Sequence, residues 1–203
     1  IDLPRPEPKT VSDISVKSAI ENRQSIRNYS KISLTLEELS FLLWCTQGVK
    51  HIYPGSGTLR TVPSAGARHA LETYLLINQV TQLNPGLYRF LAIDHTLVEI
   101  NSDFQIADKI TAACLGQTFV KTCAATFIWT AIPYRMNWRY SERGYRYLFL
   151  DAGHVCQNLY LSAEAIQCGV CAIAAFSDDD LNQILKCNTK KQVVIYIATV
   201  GKK

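Results

Sequence analysis

Apolar residues recur along this chain with two different periods, and the switches between them mark out its elements. Val16, Ala19 and Ile20 share one face of a helix predicted from about Ser15 to Asn22. Thr35-Leu-Glu-Glu38 has the spacing of a capping box, in which hydroxyl and carboxylate each satisfy a helix-end amide. It opens a second helix that Gly48 closes. Residues 50–63 read as a loop, with Pro54, Gly55 and Gly57 as breakers. Leu71 to Ile77 reads as a buried strand. Two further strand-like runs, about 87–93 and 96–100, follow the Asn84-Pro85-Gly86 turn and join at Asp94-His95. Asp103 is expected to cap a helix that carries Ile106, Ala107, Ile110, Ala113 and Cys114, with Gly116 at its end. Cys123 to Ile132 is almost unbroken apolar, the pattern of a strand covered on both faces. From about Tyr145 to Gln167 a long helix is apolar on nearly every side. That places it at the centre of a domain or in a dimer interface. Ser177 caps a short helix, and Gln192 to Val200 forms a last strand. Pro4, Pro6 and Pro8 make the start of the chain an extended arm, taken as residues 1–13. The class is α+β, in one domain spanning residues 1–203.

Composition narrows this picture. With 203 residues, 48 % apolar and 19 % charged, the chain is neither disordered nor collagen-like. No apolar run reaches the ~18 residues of a membrane span, and nothing in the sequence reads as a signal peptide. The formal charge of +4 admits an anionic ligand without requiring nucleic acid. Seven cysteines, an odd number and mostly within apolar stretches, act as small hydrophobes. They point to a reducing, cytoplasmic compartment. Cys168-Gly-Val-Cys171 has neither a second such pair nor two histidines to complete a zinc site, and reads as core.

Four segments carry candidate chemistry. Arg23-Gln-Ser-Ile-Arg27 sets two planar guanidinium forks around a hydroxyl, a donor set suited to phosphate, although arginines also favour helix ends for the dipole alone. Thr61-Val-Pro-Ser-Ala-Gly-Ala-Arg-His69 offers small residues whose backbone amides can approach a flat polar ring, or is a plain turn. Asp151-Ala-Gly-His-Val-Cys-Gln-Asn-Leu159 places polar groups in an apolar helix, where each needs a partner. From Tyr134 to Tyr147, Arg135, Arg139, Arg143 and Arg146 would form a basic stripe among aromatics on one continuous helix. Such a stripe can grip a nucleic-acid backbone, but Gly144 interrupts it and the charge is small.

Taken in order, these segments resemble one family. Leu3-Pro-Arg-Pro6, Arg23-Gln-Ser-Ile-Arg27-Asn-Tyr29, Pro63-Ser-Ala-Gly-Ala-Arg-His69, Trp138-Arg-Tyr-Ser-Glu-Arg-Gly-Tyr-Arg146 and Asp151-Ala-Gly-His-Val-Cys-Gln-Asn-Leu159 look like the flavin-dependent nitroreductase superfamily. The match is closer to its SagB-type dehydrogenase branch, which contains azoline-oxidising enzymes of peptide natural-product pathways. The resemblance implies a mostly antiparallel central sheet flanked by helices. It also implies a homodimer with FMN in clefts at the interface, NAD(P)H as a candidate donor, and a small or peptide-derived substrate. Arg23, Gln24, Ser25 and Arg27 match positions holding the FMN phosphate, ribityl chain or ring edge. Pro63, Ser64, Ala65 and Gly66 match the loop that the other subunit lays against the isoalloxazine. Ala172, Ile173 and Ala174 match the segment facing the ring near N5, and Lys202 a basic phosphate contact. Arg139 and Tyr140 match the catalytic pair, and here the chain departs from the azoline oxidisers, which commonly carry Lys-Tyr. Lysine can shed a proton when buried, whereas arginine keeps its charge. Ala70 likewise stands where a proline is usual. A flavin-binding protein without catalytic turnover would keep the same fold, and turnover by a reductant and an acceptor separates the two.

Overall fold

Thr35 and Glu38 close their capping box as the sequence predicts. The Thr35 hydroxyl accepts from the Glu38 N–H at 3.1 Å, and Glu38 Oε2 accepts from the Thr35 N–H at 3.0 Å. The structure, a computed structural model, describes residues 1–5, 11–55 and 57–203. In chain order it forms α1 (Val16–Asn22), α2 (Leu36–Gln47), β1 (Val49–Tyr53), β2 (Gly57–Arg60), β3 (Leu71–Ile77), β4 (Gly86–Leu91) and β5 (Thr96–Asn101). There follow α3 (Ile106–Ala113), α4 (Phe119–Thr122), β6 (Ala125–Ala131), α5 (Pro133–Tyr140), α6 (Gly144–Glu164), β7 (Cys168–Ile173), α7 (Asp178–Ile184) and β8 (Val193–Lys202).

Six strands make one sheet in the order β5-β4-β3-β6-β8-β7, every pair antiparallel. The two-residue period of a strand sends neighbours to opposite faces. Leu75, Phe127, Trp129 and Ala198 pack with Leu39, Leu42, Leu148 and Leu159 of α2 and α6. Tyr74, Leu76, Ile128 and Ile197 pack with Ile110 of α3 and Leu181 of α7. Every residue of β6 is buried, because helices cover both faces of the central strand.

Four expectations change. Residues 50–63 are not all loop: β1 and β2 pair as a hairpin, with Gly55 and Gly57 in its turn at φ +73° and +149°. Its residues are mostly exposed, so no buried face imprints an alternation on them. The long helix stops at Glu164 rather than near Gln167, and Cys168–Ile173, for which the pattern named no element, is a strand. Nor is α6 buried all round, since Tyr145, Phe149 and Leu150 stand 51 %, 62 % and 53 % exposed. Finally, Asp103 caps nothing directly. It lies two residues before Gln105, which holds the cap position, and its side chain instead accepts from the Gln105 N–H in a local turn.

Of the N-terminal arm, Asp2 bridges Thr96 and Leu3 is buried; Pro6 and Pro8 lie outside the described residues. All seven cysteines are free thiols, and burial pushes those of Cys156 and Cys168 up to about 12. Among the described residues, no helix is long and apolar enough to cross a membrane.

Candidate functional site

Residues 23–27 leave α1 in extended form and run beside β7. Ser25 bridges Val170 in parallel, and the Ile26 N–H donates to the Val170 carbonyl at 2.9 Å. A Cβ on Gly169 would strike the Ile26 side chain, so the close approach needs glycine there. In an extended segment alternate residues face the same way, which groups Arg23, Ser25 and Arg27 and leaves Gln24 apart, exposed to solvent.

Tyr160 of α6 joins this group to β7. Its phenol oxygen accepts the Ala172 N–H at 3.0 Å and shares a second 3.0 Å hydrogen bond with Ser25 Oγ. The Arg23 guanidinium lies over its ring, 5.4 Å from the centroid. The charge of Arg27 reaches Cys171, where it opposes the rise that burial imposes on the thiol. No ion pair among the described residues involves Arg23 or Arg27. Two unpaired guanidinium groups beside a hydroxyl suit a phosphate ester. Ile173 is buried within β7, and Ala174 follows it into solvent. Lys202 is engaged within the fold: its Nζ donates to Glu38 Oε1 at 2.5 Å and to the Ile166 carbonyl at 2.8 Å.

The second group is the loop after β2, where Pro63 is exposed. Ser64 Oγ donates to Asp151 Oδ2 at 2.6 Å, the Ala65 N–H donates to Asp151 Oδ1 at 3.2 Å, and Ser64 Oγ accepts the His69 N–H at 2.9 Å. Burial raises the Asp151 carboxyl above the ordinary range, and these two donors pull it back. Gly66 sits at φ +56°, and a Cβ there would collide with the Tyr140 phenol and come within 3.3 Å of Arg139 Nε. That contact brings the Arg139-Tyr140 pair onto the loop. The Arg139 guanidinium is 5.6 Å from the Tyr140 ring centroid, and Tyr147 meets Tyr140 edge-on at 4.8 Å.

The basic stripe expected from Tyr134 to Tyr147 is broken. α5 ends at Tyr140, Ser141 turns at φ +51°, and α6 begins at Gly144, which packs against Asn137. Arg135 pairs with Glu72 at 2.6 Å, while Arg143 and Arg146 stand in solvent. The polar face of α6 is partly structural, since Asn158 Nδ2 donates to the Cys45 carbonyl at 2.9 Å and ties α6 to α2.

Asp151 and Tyr160 anchor these two groups nine residues apart on α6, or about 14 Å along the helix axis. One chain therefore presents the arginine group and the loop group at separate points. The exposed Phe149 and Leu150 lie on α6 itself, beside the loop anchor. Sequence reasoning missed Tyr160 and gave Asp151 no role. The available signal was a polar group on an otherwise buried helix, which names a need for a partner without naming the partner.

The family model described as the nitroreductase family matches residues 20–202. A protein of Methanocaldococcus jannaschii named as a nitroreductase is 33 % identical over 193 residues, covering 95 % of this chain and 93 % of its own. The trifolitoxin-processing protein TfxB of Rhizobium leguminosarum is 26 % identical over 172 residues; the match covers 81 % of this chain but 46 % of TfxB. Among solved structures, one from Ralstonia eutropha, titled as a nitroreductase, superposes with a TM-score of 0.81 at 23 % identity, covering 100 % of this chain and 88 % of that one. The Escherichia coli microcin synthetase McbBCD complex, with truncated pro-MccB17 bound, gives 0.70 at 20 % identity, covering 97 % and 76 %. At those identities both structures speak for the fold.

Proposed function

The chain belongs to the nitroreductase family of oxidoreductases, and from that premise we propose that it binds FMN at a homodimer interface and moves hydride to or from a small organic substrate. The observation that carries this reading is the Tyr160 network, which ties Ser25 to the Ala172 amide beside two arginines that have no acidic partner among the described residues. Bound FMN supplies a ring that takes up or delivers a hydride at N5, so the protein's share is orientation and electrostatics. Arg23, Ser25 and Arg27 hold the phosphate and ribityl end. Tyr160 fixes the Ala172 amide, and with it the backbone that faces the ring. From the partner, the 63–66 loop held by Asp151 covers the other side, and its small residues let backbone approach a flat surface. Lys202 stays with Glu38 and supports the edge of β8.

Arg139 and Tyr140, seated on Gly66, are the candidates for substrate contact, Arg139 toward an anion or the flavin edge and Tyr140 as proton donor or acceptor. The order of motifs and the likeness to TfxB support the SagB-type branch. Within it, arginine at 139 argues against azoline oxidation, which needs a base for the substrate proton as hydride leaves. An arginine stays charged in proteins. We therefore read the enzyme as passing electrons from NAD(P)H to quinones or nitroaromatics in a reducing, cytoplasmic compartment.

The test begins with the visible spectrum of freshly purified protein, which should show flavin bands. They should bleach anaerobically with NADH or NADPH and return on adding a quinone or nitroaromatic. Thiazoline peptides should be oxidised slowly, and Arg139→Lys should raise that rate while leaving flavin content unchanged. Colourless protein that takes up no added FMN overturns the cofactor. Rapid thiazoline oxidation by the unmodified chain, indifferent to Tyr140→Phe, withdraws the role given to the pair.

A further inference from the structure

Behind the 64–69 loop, between β2, β3, β4 and α5, lies a cavity of about 400 Å³. Its lining combines apolar Leu71, Phe90 and Trp138 with the guanidinium groups of Arg60, Arg68 and Arg135, and with Asp94, whose carboxylate is exposed to solvent. Glu72 also reaches it, but both of its oxygens are taken, Oε1 by Arg135 at 2.6 Å and Oε2 by Arg89 at 3.0 Å. Arg60 has no such partner. Its Nη1 donates to the neutral Gln47 Oε1 at 2.8 Å, its Nε is enclosed without an acceptor, and its Nη2 has no partner among the described residues. Burial lowers its pKa, with Glu72 opposing that shift and the charge of Arg135 adding to it.

Arg68 and His69 do not relieve that charge. Arg68 lies over the Trp138 ring at 5.0 Å and spends only its Nε, on the Gly66 carbonyl at 3.1 Å. His69 Nε2 donates to the Thr58 carbonyl at 3.1 Å, and burial, with the charge of Arg60 next, holds the imidazole neutral against that hydrogen bond. A half-buried cation that shares its one nearby carboxylate, Glu72, with Arg89 and Arg135 is costly, and a planar anion offsets that cost through charge-assisted hydrogen bonds. The volume lies in the range of small-molecule pockets, and the apolar lining favours an organic body over a bare inorganic ion.

We propose that this cavity is a binding site for a small organic carboxylate, with the carboxylate on Arg60 and the apolar body against Phe90 and Trp138. The proposal does not rest on the flavin reading, because none of these residues belongs to the Tyr160 network or to the Arg139-Tyr140 pair.

Calorimetric titration of the purified protein with hexanoate, its neutral isostere hexanamide and inorganic phosphate tests it. Hexanoate should bind saturably, one per chain, with hexanamide and phosphate each about tenfold weaker or more, the loss expected for one charge-assisted contact. Arg60→Gln should lose hexanoate binding by a similar factor, and Arg60→Lys should keep part of it. Should Arg60→Gln fail to fold, tryptophan emission carries the test. Hexanoate should alter it in the unmodified protein and leave Trp138→Phe unchanged. The proposal falls if hexanoate shows no saturable binding, or if hexanamide or phosphate binds as tightly. It also falls if binding survives Arg60→Gln and instead shifts the flavin spectrum.

Discussion

Tyr160 satisfies a main-chain amide and a serine hydroxyl with one oxygen, which leaves the nearby arginines free for a ligand. Replacing Arg23 or Arg27 by alanine removes charge-assisted contacts worth about 1.5–3 kcal/mol each. Each variant should bind FMN at least about tenfold more weakly. Retention of flavin through gel filtration measures this, and full retention by both variants would misplace the phosphate. His69 makes a separate prediction. Burial, with the charge of Arg60 next, holds its imidazole down at about 4 from an ordinary 6.5. Folding thus favours the neutral ring. The stabilisation is fully present above the unfolded value and is lost as pH falls from about 6.5 toward 4, by up to roughly 3 kcal/mol. His69→Asn suits the backbone, whose φ is +44°, because asparagine tolerates that region. In urea unfolding the variant should lose less stability between pH 7 and pH 4.5 than the parent. Equal losses would mean that His69 is not the group involved.

At the scale of elements, α6 acts as a ruler with a clamp at each end. Tyr160 holds β7 and residue 25, and Asp151 holds the loop through Ser64 and Ala65. Asp151→Ala would leave two donors without an acceptor, at about 1–3 kcal/mol for each group that stays buried. Asp151→Asn keeps one acceptor and removes a buried charge, so its effect should be smaller. Thermal melts should rank the parent above Asn and Asn above Ala, and hydrogen exchange at the Ala65 amide should quicken in the same order. An Ala65 amide that exchanges no faster in Asp151→Ala would show that the loop is held by other contacts.

At the scale of the whole molecule, the nine residues between Asp151 and Tyr160 put the two anchors on opposite sides of α6, so the loop and the arginines leave the helix in different directions. A second copy can bring its loop group to the first copy's arginine group. Burying the exposed face of α6, with Phe149 and Leu150, is the apolar gain available to such an assembly. Light scattering should therefore find a dimer. Phe149→Glu should shift it toward monomer and release flavin in parallel, as expected when the site is completed only by the partner. A monodisperse monomer that keeps its flavin would refute this arrangement.

Wherever an element carries its own signal, the sequence by itself determined it. The capping box before α2, the two-sided apolar run of β6, the buried β3 and the body of α6 each answer to neighbours a few residues away or to plain burial. The order of motifs was legible too, and with it the family. The β1-β2 hairpin was not, because exposed strands have no buried face to impose alternation. β7 was not, because its strand character comes from pairing with β8. The partner of a side chain was least legible of all. Ser64 meets Asp151 across 87 residues, and Lys202 meets Glu38 across 164. A polar group within an apolar helix declares that it must be paired, but local pattern carries no record of distant contacts. Which residue pairs with it is decided only when the sheet brings the segments together.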